Sequence, residues 1–159
     1  MRNIMLNKLV ALAGASLLLV ACETGGDKDV QEVNVSTKPL PGSSDDFKTN
    51  VKDRVFFALN KSKVSAAETA TIKAQSDWFK MYPQTTAMIE GHCDPRGSRE
   101  YNLALGNRRA EAVKKELAKH GVSADRLKTI SYGKDKAPVQ GPAGEATWAQ
   151  QRTAVTVVN

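Results

Sequence analysis

The sequence predicts an α/β fold of the α+β kind: a two-layer sandwich in which a mixed sheet carries two main helices on one face. Three observations predict it. Four short β-prone runs (Val55–Leu59, Thr85–Gly91, Leu127–Tyr132 and Thr153–Val158) are spread over the last two thirds of the chain. Two longer segments with helical spacing separate the first three of them. Proline or glycine marks the ends of both helical segments, giving the order β-α-β-α-β-β that stacks helices on a sheet.

The chain opens with Arg2 and Lys8 and then runs apolar from Leu9 to Ala21. A basic start, about a dozen apolar residues and a small-residue end predict a secretory signal over 1–21. A membrane-spanning helix needs about 20 apolar residues, and polar Glu23 and Thr24 followed by Gly25 and Gly26 arrive too soon. The other reading, a short buried helix, leaves the charges without a role. Leu19-Val20-Ala21-Cys22 resembles a bacterial lipobox. That resemblance implies cleavage before Cys22, acylation of its thiol and of the new amine, and an anchor that holds the protein to a membrane without spanning it. Glu23, not aspartate, follows the cysteine, which the resemblance reads as outer-membrane sorting.

Residues 22–46 carry glycines, prolines, serines and charges with no apolar periodicity, so they are expected to form a flexible tether after the acylated Cys22. A coil of about 25 residues has a typical reach of roughly 25–30 Å. The globular domain is then expected over 47–159. Val55-Phe56-Phe57-Ala58-Leu59 is its first strand. Ser65 and Glu68 read as a capping box opening a helix that Pro83 stops after Tyr82. The next strand, Thr85 to Gly91, places Ala87 and Ile89 on one face, Met88 and Glu90 on the other. After a loop at Asp94–Gly97, Ser98 introduces a long helix to His120. Its apolar stripe is Tyr101, Leu105, Ala112, Val113 and Leu117, with Gly121 as its C-terminal stop. Between the last two strands, the segment with Pro138, Gly141, Pro142 and Gly144 leaves room for a helical turn around Glu145 to Ala149.

The 23 basic and 17 acidic residues give a net charge of +6. Removing Arg2 and Lys8 with the signal leaves 21 against 17, a mild and scattered excess. Nucleic-acid binding would want a basic stripe or a recognised motif, and neither is present. A zinc enzyme needs three or four ligands, and the second of the two histidines, His120, ends a helix beside Gly121. His92 and Cys93 are adjacent on a strand and point to opposite faces, which excludes a nucleophile–base pair. No catalytic residue, metal or cofactor is expected. His92 reads as a hydrogen-bonded structural residue and Cys93 as a small buried one.

The informative stretch runs Glu90-Gly91-His92-Cys93-Asp94-Pro95-Arg96-Gly97-Ser98-Arg99-Glu100-Tyr101-Asn102-Leu103-Ala104-Leu105-Gly106-Asn107-Arg108-Arg109-Ala110. It puts Asp94 in a loop just before a helix N-terminus, and Arg108 and Arg109 about two turns into that helix. If the loop folds back, Asp94 and one arginine flank a common space. A carboxylate and a guanidinium held apart suit a zwitterion, with the ammonium on one and the carboxylate on the other. An internal salt bridge on a helix shoulder is the alternative, and the stretch alone leaves both open.

The pattern G-H-x-D-x-x-G-x-x-x-Y-N-x-x-L-x-x-x-R-A resembles the OmpA-like peptidoglycan-binding domain family. The likeness extends from Val55 to near Val158 and includes Val122–Asp125, Ser131-Tyr132-Gly133-Lys134 and Arg152. It implies an OmpA-like fold and, as ligand, the peptidoglycan stem peptide with its diaminopimelate residue. Asp94 would accept the ammonium and Arg109, directly before Ala110, would clamp the carboxylate. Asn102 and Leu105 would line the pocket, Gly97 would allow close backbone approach, and Arg96 and Tyr101 would contribute less. The resemblance also implies the Tol-system proteins TolA and TolB as partners, with outer-membrane lipid held through Cys22. The chain departs from the family pattern at Ala58 and Asn60, where relatives commonly carry acidic residues. It also reads Gln151-Arg152-Thr153 where paired arginines are usual, and has Cys93 in place of a small apolar residue.

Overall fold

The structure is a computed structural model that describes residues 38–159. The expected signal segment, Cys22 and the tether as far as residue 37 lie outside the described residues. Among those described, no helix is long and apolar enough to cross a membrane.

Helix α1 spans Ser44–Asn50 and starts inside the stretch read as tether. Ser43 caps it, its hydroxyl accepting from the Asp46 N–H at 3.1 Å. The Asp46 carboxylate in turn accepts from the Gly42 N–H at 3.0 Å and from the Trp78 indole N–H at 2.8 Å. The indole bond first, then those of Gly42 and Asn50, hold the Asp46 carboxyl below its ordinary range. Phe47, fully buried, meets the Trp78 ring edge-on at 4.8 Å. One aromatic side chain and one carboxylate thus fasten seven residues that lack the length to be helical alone.

Strand β1, Arg54–Phe56, is shorter than the Val55–Leu59 run. The Phe57 N–H still donates to the Arg152 carbonyl at 2.8 Å, but the chain then turns, and Asn60 takes a left-handed φ of 56°. Helix α2 covers Ala66–Met81. Ser65 stands at its N-cap as expected, yet its hydroxyl makes no capping bond, so the expected capping box does not form. The Thr69 hydroxyl instead donates to the Ser65 carbonyl at 3.3 Å.

Strand β2, Ala87–His92, alternates as the sequence predicts, with Ala87 and Ile89 buried and Met88 and Glu90 half-buried. Helix α3 covers Arg99–Lys119 and ends at Gly121, whose φ of 94° makes the left-handed stop. A single-turn 3₁₀ helix, Ala124–Arg126, leads into β3, Leu127–Gly133. The expected helical turn is α4, Glu145–Gln151, and β4 follows at Thr153–Val158.

The sheet order is β1-β4-β2-β3, with β4 antiparallel to both neighbours and β2 parallel to β3. This is the expected mixed sheet. Its core joins Val55, Ile72, Phe79, Ile89, Val113, Leu117, Leu127 and Val158, where α2 and α3 lie against the sheet. Helix α3 presses backbone to backbone on β2: a Cβ at Gly91 would overlap the carbonyl oxygen of Gly106. Both glycines are needed for this approach, which fixes the next turn of α3 beside the C-terminal end of β2. The buried face of α3 is Asn102, Leu105, Gly106, Arg109, Ala110, Val113 and Leu117. It is turned away from the expected apolar stripe: Tyr101 is 44% exposed, and two polar residues go inward instead.

Candidate functional site

The loop Cys93–Ser98 joins the end of β2 to the start of α3, and its shape follows from local bonds. The Ser98 hydroxyl caps α3 by accepting from the Tyr101 N–H at 3.1 Å. Gly97 takes φ 87°, the left-handed conformation that suits glycine. Asn102, 2% exposed, donates through its amide to the carbonyls of Arg96 at 2.7 Å and Ser98 at 2.9 Å. Asn102 therefore shapes the loop from beneath; it offers almost no surface to a ligand.

Asp94 sits in this loop, buried to 4% exposure. Its carboxylate accepts from Arg96 twice, Nε at 3.2 Å and Nη2 at 2.6 Å, and from the Arg96 backbone N–H at 3.2 Å. Arg152, just before β4, adds Nη1 at 3.3 Å. Burial raises the proton affinity of the carboxyl, but the Arg96 and Arg152 bonds outweigh it and hold the group below its ordinary range. Asp94 is thus a buried anion facing two guanidinium groups.

Arg109 is 1% exposed and is among the largest fully buried side chains. Its Nε donates to the Lys61 carbonyl at 2.9 Å, Nη1 to the His92 carbonyl at 2.7 Å, and Nη2 to the Ala58 carbonyl at 3.3 Å. It makes no ion pair with Asp94, so the internal salt bridge left open by the sequence is not what holds it. Most of its fork is directed at main-chain carbonyls of the β1–α2 connection and the end of β2. Burial lowers its proton affinity, while the nearby Asp94 carboxylate acts in the other direction. The guanidinium also lies 5.3 Å from the Phe57 ring centroid.

Of the other expected residues, Leu105 is 3% exposed and belongs to the interior beneath the loop. Gly97, Arg96 and Tyr101 join Leu59 and Asn60 around a recess of about 240 Å³. Arg108 is exposed on α3. Cys93 is a buried free thiol, 3.4 Å from the Asn102 carbonyl that it donates to.

His92 is buried, its Nδ1 2.8 Å from the Lys136 carbonyl and its ring stacked on Tyr132. Nε2 has no hydrogen-bond partner among the described residues, although a Glu90 oxygen lies 3.4 Å away. Burial pushes the imidazole below its usual range, against the pull of the Lys136 carbonyl and the Glu90 charge. A folded value below the unfolded one means stability is complete above about pH 6.5 and is lost as pH falls toward the folded value. Urea midpoints should therefore decline from pH 7.5 to 5, and His92→Gln should flatten that slope. An unchanged slope in the variant would assign the decline to other groups.

Three residues at this site escape a reading of the central motif. Arg152 reaches Asp94 from 58 positions away, and its Nη2 also pairs with Glu145 of α4 at 2.7 Å. Trp148 of the same helix lies under the Arg96 guanidinium, 4.6 Å from its ring centroid. The one available signal was Arg152 itself, a charge at the mouth of an apolar strand.

Residues 56–152 match the OmpA family. The chain is 50% identical over 119 residues to a peptidoglycan-associated lipoprotein of Brucella melitensis, covering 75% of this chain and 70% of that protein. A peptidoglycan-associated lipoprotein of Legionella pneumophila is 34% identical, with 91% of this chain and 90% of that protein covered. The crystal structure of the peptidoglycan-associated lipoprotein from Burkholderia pseudomallei superposes with a TM-score of 0.65 at 38% identity, covering 68% of this chain and 91% of that one. The C-terminal domain of Helicobacter pylori MotB shares the fold at 17% identity, with a TM-score of 0.62. With a buried carboxylate set at the loop before α3 and family-matching sequence on both sides of it, the chain belongs to the OmpA family.

Proposed function

We propose that this domain binds peptidoglycan non-covalently, through the diaminopimelate of the stem peptide, and so ties the outer membrane to the cell wall. The observation that carries the reading is Asp94: a buried carboxylate, held ionised, at the mouth of a loop whose outer residues are exposed. Such a group receives an ammonium well, because a buried anion gains most from a charged partner. Arg109 and Arg152 surround it with positive charge that favours the adjacent carboxylate of a zwitterion. Arg109 has few donors left over from its carbonyl bonds, so its part is electrostatic together with at most a single N–H, and not a two-pronged clamp. The relatives named peptidoglycan-associated lipoprotein support peptidoglycan as the ligand.

In this reading the protein works by binding and carries out no reaction. Acylated Cys22 anchors it in the outer membrane with the domain in the periplasm, and the tether lets the domain reach the wall. TolA and TolB of the Tol system are its protein partners, in the service of envelope integrity and of outer-membrane constriction at division. The ligand assignment is tested by retention on purified sacculi: the unmutated chain is retained and folded Asp94→Asn is not. The anchor is tested separately. Cys22→Ala should move the protein from the membrane fraction to the soluble periplasm, and an unmodified N-terminus in intact-mass analysis of the mature protein would refute the acylation.

A further inference from the structure

The recess of about 240 Å³ at this site is lined by Leu59, Asn60, Arg96, Gly97 and Tyr101, and neither Asp94 nor Arg109 belongs to its wall. The Asp94 side chain is only 6% exposed, while Arg96, directly on it, is 38% exposed. Arg96 therefore stands between the open recess and the carboxylate. The two guanidinium groups on Asp94 are held very differently. Arg152 is 9% exposed and is fixed by the Phe57 carbonyl at 3.2 Å as well as by Glu145. Among the described residues the Arg96 side chain donates to no main-chain carbonyl. Besides Asp94 its polar contact is Glu145 at 3.4 Å, and its flat face rests on Trp148.

From this geometry we infer that Arg96 is a built-in stand-in for the ligand's cation: it pairs with Asp94 and swings onto Glu145 and Trp148 when an external ammonium arrives. The inference rests on the proposed ligand reading and adds a specificity determinant to it. Glu145, 63% exposed, and the indole already contact the guanidinium, so the transfer needs rotation about side-chain bonds and no backbone movement. Arg152 stays bonded to the carboxylate during the exchange. A neutral ligand group cannot replace the displaced charge, so the exchange selects ligands that carry a cation. The arginine also lowers the apparent affinity, since only the fraction of domains with Asp94 uncovered can bind.

The test titrates the full chain with a soluble stem tripeptide ending in diaminopimelate, by calorimetry and by tryptophan fluorescence. Removing the competitor in Arg96→Ala should tighten binding by about threefold to tenfold. In the unmutated chain the tripeptide should change Trp148 emission as the guanidinium shifts on the ring. That change should vanish in Arg96→Ala and in Trp148→Phe, the latter excluding a contribution from Trp78. Equal or weaker affinity in Arg96→Ala, with Asp94→Asn still unable to bind, overturns the exchange and leaves the pocket standing. Full affinity in Asp94→Asn overturns the pocket, and the exchange with it.

Discussion

Replacing Asp94 by asparagine is expected to lower affinity for peptidoglycan by more than about a factor of ten while the domain stays folded. The substitution keeps the shape of the side chain and its acceptor oxygen, but removes the charge that an incoming ammonium would meet. Losing one partner of a desolvated charge pair costs roughly 2–5 kcal/mol of binding. Inside the unliganded domain the same change leaves Arg96 and Arg152 without their anion. Arg96 can turn outward and hydrate, whereas Arg152 keeps Glu145 and the Phe57 carbonyl. The cost to stability is therefore about 1–3 kcal/mol, short of unfolding a domain of this size. Circular dichroism should show an intact fold at 25 °C with a modestly lowered midpoint. Arg108→Ala, on the exposed side of α3, serves as the matched control and should bind sacculi like the unmutated chain. Wild-type retention by folded Asp94→Asn would remove Asp94 from the binding site, whatever the family likeness.

The features that the sequence displays are those made by neighbours in the chain. Each strand could be read from an apolar run, and α4 from the stretch between glycine and the last strand, because local composition decides them. Helix α1 could not be read. Its one buried apolar side chain is Phe47, and the partners that fasten it, Trp78 and Phe79, lie in another element. The buried face of α3 was misjudged for a related reason. Periodicity counts only apolar residues, whereas Asn102 and Arg109 go inward because distant carbonyls satisfy their donors.

At the site, Asp94 and its loop were legible from the motif and the helix start. The groups that set its charge were not. Arg152, Glu145 and Trp148 come from the far end of the chain and meet Asp94 and Arg96 only because β4 inserts between β1 and β2. Leu105 belongs both to the motif and to the apolar stripe, and its side chain is buried. A motif lists residues that must occur together, and some of them, such as Asn102, hold the loop from within.

Arg109 tests that role, and Arg109→Ala should be the most destabilising single change at the site. The guanidinium ties the carbonyls of Ala58 and Lys61, in the β1–α2 connection, to that of His92 at the end of β2. Alanine removes the guanidinium from all three acceptors, of which the Ala58 carbonyl keeps the Lys61 N–H, and opens a void beneath the Phe57 ring. Bonds to a charged group contribute roughly 1.5–3 kcal/mol each, and water entering from the loop side restores part of the loss. A net cost of about 3–5 kcal/mol follows, which for a domain of this length lowers the melting temperature by roughly 10–20 °C. Arg109→Lys keeps the charge but lacks the planar fork, so it should recover only part of the stability. Ligand chemistry separates the structural role from the electrostatic one. Amidating the diaminopimelate carboxylate should weaken binding to the unmutated chain and to Arg109→Lys alike, because both present a cation there. In Arg109→Ala, assayed well below its melting temperature, amidation should add little, since both changes delete the same attraction. A melting temperature within a few degrees of the unmutated value would show that the three carbonyl bonds do not hold the loops. Equal sensitivity to amidation in Arg109→Ala and the unmutated chain would instead assign the ligand carboxylate to Arg152.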